Sequence, residues 1–78
     1  MNNHKTYEDV FCHVFGVDAS QLDQLEFGEN ANWDSVGHMN LIVALEEAFG
    51  IQIEGEDILD IISYQKGKEV LKRYNVDI

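Results

Sequence analysis

Apolar residues recur at helical spacing in separate stretches of this chain. Tyr7, Val10, Phe11, Val14 and Phe15 stand at i, i+3, i+4, i+7 and i+8, the stripe of an amphipathic helix. The spacing predicts a first helix over residues 6–15, with Thr6 as N-cap, Glu8 and Asp9 in the first turn and Gly16 as the stop. A second helix is predicted over 35–49, ended by Gly50, and a short third over 56–62, supported by Ile58, Leu59, Ile61 and Ile62. Ser63 can cap a fourth, on which Val70, Leu71 and Tyr74 keep the spacing while Lys68, Lys72 and Arg73 lie towards its C-terminus, where the dipole favours cations. Residues 51–54 alternate apolar and polar for too short a run to be a strand with partners, and read as an extended connector. The expected fold is all-α: a small four-helix bundle of three main helices and one short one, forming a single domain over 1–78.

The connection between the first two helices, residues 17–34, has 18 residues. Loops beyond about 12–15 residues are uncommon unless functional or disordered. Val17, Leu22, Leu25, Phe27 and Trp33 are candidates to pin it to the core, with a helical turn over 20–25. It delivers the chain to one point, the Asp34-Ser35 step.

The second helix has more apolar surface than one core needs. At about 100° per residue, with Val36 as zero, Leu41, Ile42, Leu45 and Phe49 cluster between about 140° and 240°. Val36, Met39 and Val43 form a second stripe near 300–360°, with Glu46 between the stripes and Glu47 and Asn40 beyond the second. Two readings stand. The second stripe packs beneath the long loop, or it faces outward as a docking surface with apolar anchors for affinity and acids for steering.

Charge sharpens the picture. Five Lys and Arg stand against 15 Asp and Glu, a formal net charge of −10. The 60 residues 6–65 carry 13 acids and no Lys or Arg. Such a field repels phosphate backbones and anionic lipid, so neither nucleic acid nor membrane is an expected partner, and a basic protein surface is. A hydrophobic content of 45% argues that the chain folds. The single Cys cannot form an internal disulfide, which fits a reducing compartment. With neither a signal-peptide layout nor a spanning apolar run, a cytoplasmic monomer is expected. Cys12, beside the first helix's stripe, reads as a partly buried structural thiol.

Asp and Ser are ordinary N-caps, and Asp34-Ser35 alone says no more than that. This step, however, ends a long loop, opens the two-striped helix, and sets a hydroxyl where the helix N-terminus would stabilise an attached phosphate. The run Asn32-Trp33-Asp34-Ser35-Val36-Gly37-His38-Met39, followed by Leu41 to Ile51, resembles the modification site and second helix of acyl carrier proteins. The likeness extends to length, acidity, the first helix, the long loop, Glu56-Asp57 and a closing helix. It implies that Ser35 receives 4′-phosphopantetheine from coenzyme A, displacing 3′,5′-ADP, through a separate phosphopantetheinyl transferase that uses Mg²⁺. The arm's thiol then carries acyl groups as thioesters between enzymes of a fatty-acid, polyketide or related specialised pathway. The resemblance makes Asp34, Val36, Met39, Val43, Glu46 and Glu47 the partner-binding positions for acyl-loading, condensing or acyl-transfer enzymes with basic docking surfaces. The chain itself would be no enzyme, with no catalytic residue and no metal ligand.

Gly37, His38 and Asn40 depart from the family's more acidic pattern, which points to a discrete carrier of a specialised pathway. Gly37 is expected to weaken the first turn of the helix by about 1 kcal/mol relative to Ala. The alternatives are an aminoacyl or peptidyl carrier, and a non-carrying helical adaptor that binds proteins through the same helix. A Ser35–His38 catalytic pair lacks an orienting acid and oxyanion donors, and His38 reads as a surface or rim residue. No acidic run fits an EF-hand loop, although loose divalent-cation binding is a plausible stabilising effect.

Overall fold

The computed structural model describes residues 2–30 and 32–78. In it the chain forms α1 (Asn3–Phe15), a 3₁₀ helix (Ala19–Gln24), α2 (Ser35–Phe49), α3 (Gly55–Asp60) and α4 (Tyr64–Lys72). This is the expected all-α bundle, with no strand among the described residues and a short helix inside the long loop. No described helix is long and apolar enough to cross a membrane.

α1 begins earlier than the spacing predicts. Asn2, not Thr6, is the N-cap: its side chain accepts from the Lys5 N–H at 3.2 Å, while Thr6 donates through its hydroxyl to the Asn2 carbonyl. Asn caps as well as Thr or better, so the turn before the first apolar residue could be helical too. α1 and α2 both end on a left-handed glycine, Gly16 at φ 65° and Gly50 at φ 64°, each donating to the carbonyl four residues back.

The core is aromatic at its centre. Tyr7, Phe11, Phe15, Trp33 and Tyr64 are buried. Phe15 stacks on Trp33 with centroids 4.8 Å apart, and Phe11 meets Trp33 and Tyr64 edge-on. Leu41, Ile42 and Leu45 of α2, Ile61, and Val70 and Leu71 of α4 complete it. The Tyr7 hydroxyl donates to the Tyr64 carbonyl at 2.7 Å, tying α1 to α4, and burial raises the Tyr7 phenol far above its ordinary range. The loop is pinned by Leu22, Leu25 and Trp33, whereas Val17 is only half-buried and Phe27 is exposed.

α3 is shorter than predicted and supplies less to the core. It stops at Asp60 because the next residues pair with the loop: Phe27 N–H donates to the Ile62 carbonyl at 2.9 Å and Tyr64 N–H to the Leu25 carbonyl at 3.0 Å. That turn sends Ile61 inward and leaves Leu59 and Ile62 at 77% and 55% exposure. Residues 51–54 are the extended connector expected. Of the basic residues assigned to the fourth helix's dipole, Lys68 instead lies over the Tyr64 ring at 4.7 Å, and Arg73 pairs with Asp57 and Asp60 of α3.

Candidate functional site

The two stripes of α2 part company in the structure. Leu41, Ile42 and Leu45 are at most 2% exposed, while Val36, Met39 and Val43 are 71%, 49% and 48% exposed. The second stripe therefore does not pack beneath the loop. Val43 also borders a groove of about 390 Å³ between α1 and α2, with His13, Val14, Asn40, Ala44 and Glu47 around it.

At the head of α2 the capping work falls to Asp34. Its Oδ1 accepts from the Gly37 N–H at 2.8 Å, and its carbonyl takes the first helical bond from His38 N–H at 2.8 Å. Ser35 is then the first residue of the helix, exposed, and its hydroxyl is not the cap. The adjacent N–H groups of a helix start lack intrahelical partners and carry partial positive charge.

Gly37 has a role that helix propensity does not reveal. A Cβ there would stand 2.0 Å from the Asn32 carbonyl oxygen. The loop backbone runs across the first turn of α2 because position 37 has no side chain, so the glycine is what lets the loop close onto the site.

His38 is the main correction: it is no rim residue but is buried at 9% exposure. The Trp33 indole N–H donates to its Nδ1 at 2.9 Å, and its Nε2 lies 2.8 Å from the Ile58 carbonyl oxygen. An indole only donates and a carbonyl only accepts. The ring is accordingly neutral, protonated on Nε2, and saturated on both edges. It ties the loop to α2 and α3, and with both nitrogens engaged it offers no base to Ser35. The signal was present in the sequence: at about 100° per residue, position 38 falls near 200°, inside the buried arc of α2.

The acids proposed for docking also divide. Glu46 is half-buried and its Oε2 accepts from the Ile53 N–H at 2.8 Å, holding the connector against α2. Glu47 is exposed. On α3, Asp57 receives the Tyr74 hydroxyl and the Arg73 guanidinium, and in that order they hold its carboxyl below the usual range. Arg73 also reaches Asp60 at 3.0 Å. Among the described residues no group of three or more His, Cys, Asp or Glu side chains is arranged to hold a metal. Cys12 is partly buried, with burial and then Glu8 and Asp9 raising its thiol pKa.

Comparison with known proteins agrees with this geometry. Residues 8–65, a span that includes Asp34 and Ser35, match the family described as a phosphopantetheine attachment site. The chain is 30% identical over 76 residues to an acyl carrier protein of Nitratidesulfovibrio vulgaris (strain DSM 19637 / Miyazaki F), an alignment covering 88% of this chain and all of that one. No solved structure gives a significant match. The match covers α2 and most of the bundle, and the chain belongs to the phosphopantetheine-binding acyl carrier family.

Proposed function

We propose that Ser35 is the residue that carries 4′-phosphopantetheine, and that the chain presents acyl groups on that arm to successive enzymes of a fatty-acid, polyketide or related biosynthetic pathway in the cytoplasm. The observation that supports this is the division of labour at the head of α2. Asp34 caps the helix, which leaves the Ser35 hydroxyl exposed on the first turn of a 15-residue helix. The residues there suit the group: a phosphodiester on Ser35 would sit against the partly positive N-terminus of α2. When bound, 4′-phosphopantetheine supplies a terminal thiol that holds acyl groups as thioesters.

The chain's own contribution is placement and recognition. Because His38 is saturated, the proton of Ser35 is taken by a base that the modifying transferase brings. Val36, Met39 and Val43 offer apolar anchors, and Glu47 offers charge, to transferase and acyl-handling enzymes with basic docking surfaces. Asp34 and Glu46 act on the same surface through the backbone they hold in place.

Incubation with coenzyme A, Mg²⁺ and a broad-range phosphopantetheinyl transferase tests this. Intact mass should rise by one phosphopantetheinyl group in the wild type and stay unchanged in Ser35→Ala. An equal gain in Ser35→Ala, or none in a folded wild type, would falsify the assignment.

A further inference from the structure

The three residues that lead up to Ser35 each have their side chain fastened to a different place. Asn32 Nδ2 donates to the Phe15 carbonyl at the end of α1 at 3.0 Å, Trp33 Nε1 donates to His38 Nδ1 at 2.9 Å, and Asp34 Oδ1 accepts from the Gly37 N–H at 2.8 Å. The backbone of Trp33 is held as well: its N–H donates to the Asn30 carbonyl at 2.9 Å and its carbonyl accepts from the Gly28 N–H at 3.0 Å. The Trp33–His38 bond differs from the other two. It joins the residue two before Ser35 to the residue three after it, across the step where loop becomes helix, and both rings are buried. Phe15 stacks on the indole, and the Ile58 carbonyl holds the far edge of the imidazole at 2.8 Å. Capping needs none of this, because Asp34 already closes the first turn. Nor does burial require it, since two apolar side chains could fill the same space with no polar group to satisfy. What a fully satisfied buried pair adds is rigidity.

We propose that Trp33 and His38 are positioning residues for the chemistry at Ser35, a buried brace that fixes the backbone on both sides of the hydroxyl. The inference rests on the carrier reading of Ser35 and concerns how that serine is presented. In the modification, Ser35 Oγ forms a bond to the pantetheine-bearing phosphorus of coenzyme A as the bond to 3′,5′-ADP breaks, and the hydroxyl proton passes to a base of the transferase. The attacking oxygen must stand about 3–3.5 Å from that phosphorus and in line with the leaving group. Docking through Val36, Met39 and Val43 places α2 as a whole, whereas Ser35 lies on its first turn, and helix ends fray. The brace removes that freedom before the enzyme arrives. A misplacement of about 1 Å can cost about 100-fold in rate.

The test is steady-state modification by a broad-range phosphopantetheinyl transferase with coenzyme A and Mg²⁺, varying the carrier concentration at a temperature where circular dichroism shows each variant folded. Trp33→Phe removes the indole donor and keeps an aromatic ring against Phe15; His38→Leu removes both ring nitrogens. Each should lower kcat about 10–100-fold while KM for the carrier stays within about twofold, because the docking residues are untouched. The double variant should be no slower than the slower single, since the two residues act as one unit. His38→Gln is the rescue: its amide can accept from the Trp33 indole N–H and donate to the Ile58 carbonyl, so kcat should return to within about threefold of the wild type. Lost stability alone would not give this split, because carrier that is still folded would be modified at the wild-type rate. Unchanged kcat in folded Trp33→Phe and His38→Leu, a loss confined to KM, or a His38→Gln defect as large as that of His38→Leu overturns the inference. Should the brace-breaking variants fail to fold, NMR relaxation of the Ser35 N–H in the wild type decides it: an order parameter near the rigid value of about 0.85 is expected, and one below about 0.6 overturns it. Absence of any modification at Ser35 in the folded wild type instead removes the carrier reading on which it stands.

Discussion

On each face of α2 one feature reverses the usual association of apolar with buried. Its inner face includes an imidazole, His38, and its outer face carries Val36, Met39 and Val43. The same reversal runs through neighbouring pairs. Asp34 is engaged in the cap while Ser35 is exposed, and Glu46 holds the connector while Glu47 faces solvent. What separates engaged from free polar positions on this helix is not residue type but hydrogen-bond saturation. A buried polar group with every partner in place stabilises the scaffold, because leaving it unpaired is costly. An exposed apolar side chain contributes little to folding and is available for recognition.

Gly37 gives the sharpest way to break this contrast, since it lies on the structural side and looks dispensable. Helix propensity alone expects Gly37→Ala to stabilise α2 by about 1 kcal/mol. The 2.0 Å approach to the Asn32 carbonyl predicts the opposite sign. Overpacking against backbone should cost about 1–3 kcal/mol, and each kcal/mol lowers the midpoint of a domain this size by about 4–8 °C. Urea denaturation of the pair measures it. A more stable Gly37→Ala would mean that the loop moves aside freely and does not depend on position 37.

That case also marks how far the sequence reaches. The helical stripes, the glycine stops, the two-sided nature of α2 and the Asp34-Ser35 step were all legible, because local spacing and capping chemistry set them. The approach of the Asn32 carbonyl to Gly37 was not, since it depends on where a long loop settles over a helix distant from its own start. His38 was half legible. Its angular position placed it on the buried arc, but its partners, Trp33 five residues earlier and Ile58 twenty residues later, come together only when the loop and α3 close on α2. The end of α3 was hidden for a similar reason: the pairing of residues 25–27 with 62–64 pulls the chain out of the helix, and nothing local to Ile61 announces it.

Glu46 and Glu47 test the contrast on adjacent carboxylates. Glu46→Ala removes a charge-assisted hydrogen bond and strands the buried Ile53 N–H, which should cost about 1–3 kcal/mol. Glu47→Ala should stay within about 0.5 kcal/mol of the wild type. The order should invert for recognition. Glu47→Lys is expected to slow modification by the transferase at low salt, with the effect shrinking as salt rises, because steering between exposed charges is screened. A Glu47→Lys defect that is indifferent to salt would assign Glu47 to folding and erase the distinction between the two residues.

The smallest expected effect lies at α3, where Asp57 belongs to the saturated class although it sits in an acidic surface. The Tyr74 hydroxyl and Arg73 hold its folded pKa below the carboxylate value of about 3.9 expected in the unfolded chain. A depressed carboxylate contributes stability that is fully present above the unfolded value and is lost as pH falls through the folded one. Protonating the unpaired acids works the other way, because it relieves the repulsion in a chain of net charge −10. The whole protein's midpoint therefore mixes opposing trends, and only the difference from Asp57→Asn isolates the paired carboxylate. That difference should favour the wild type at neutral pH, narrow below about pH 4, and shrink in high salt, since Arg73 is partly exposed. A gap that stays constant down to acid pH would mean that Asp57 acts through packing alone, and that the ion pair between α3 and the end of α4 is incidental to their contact.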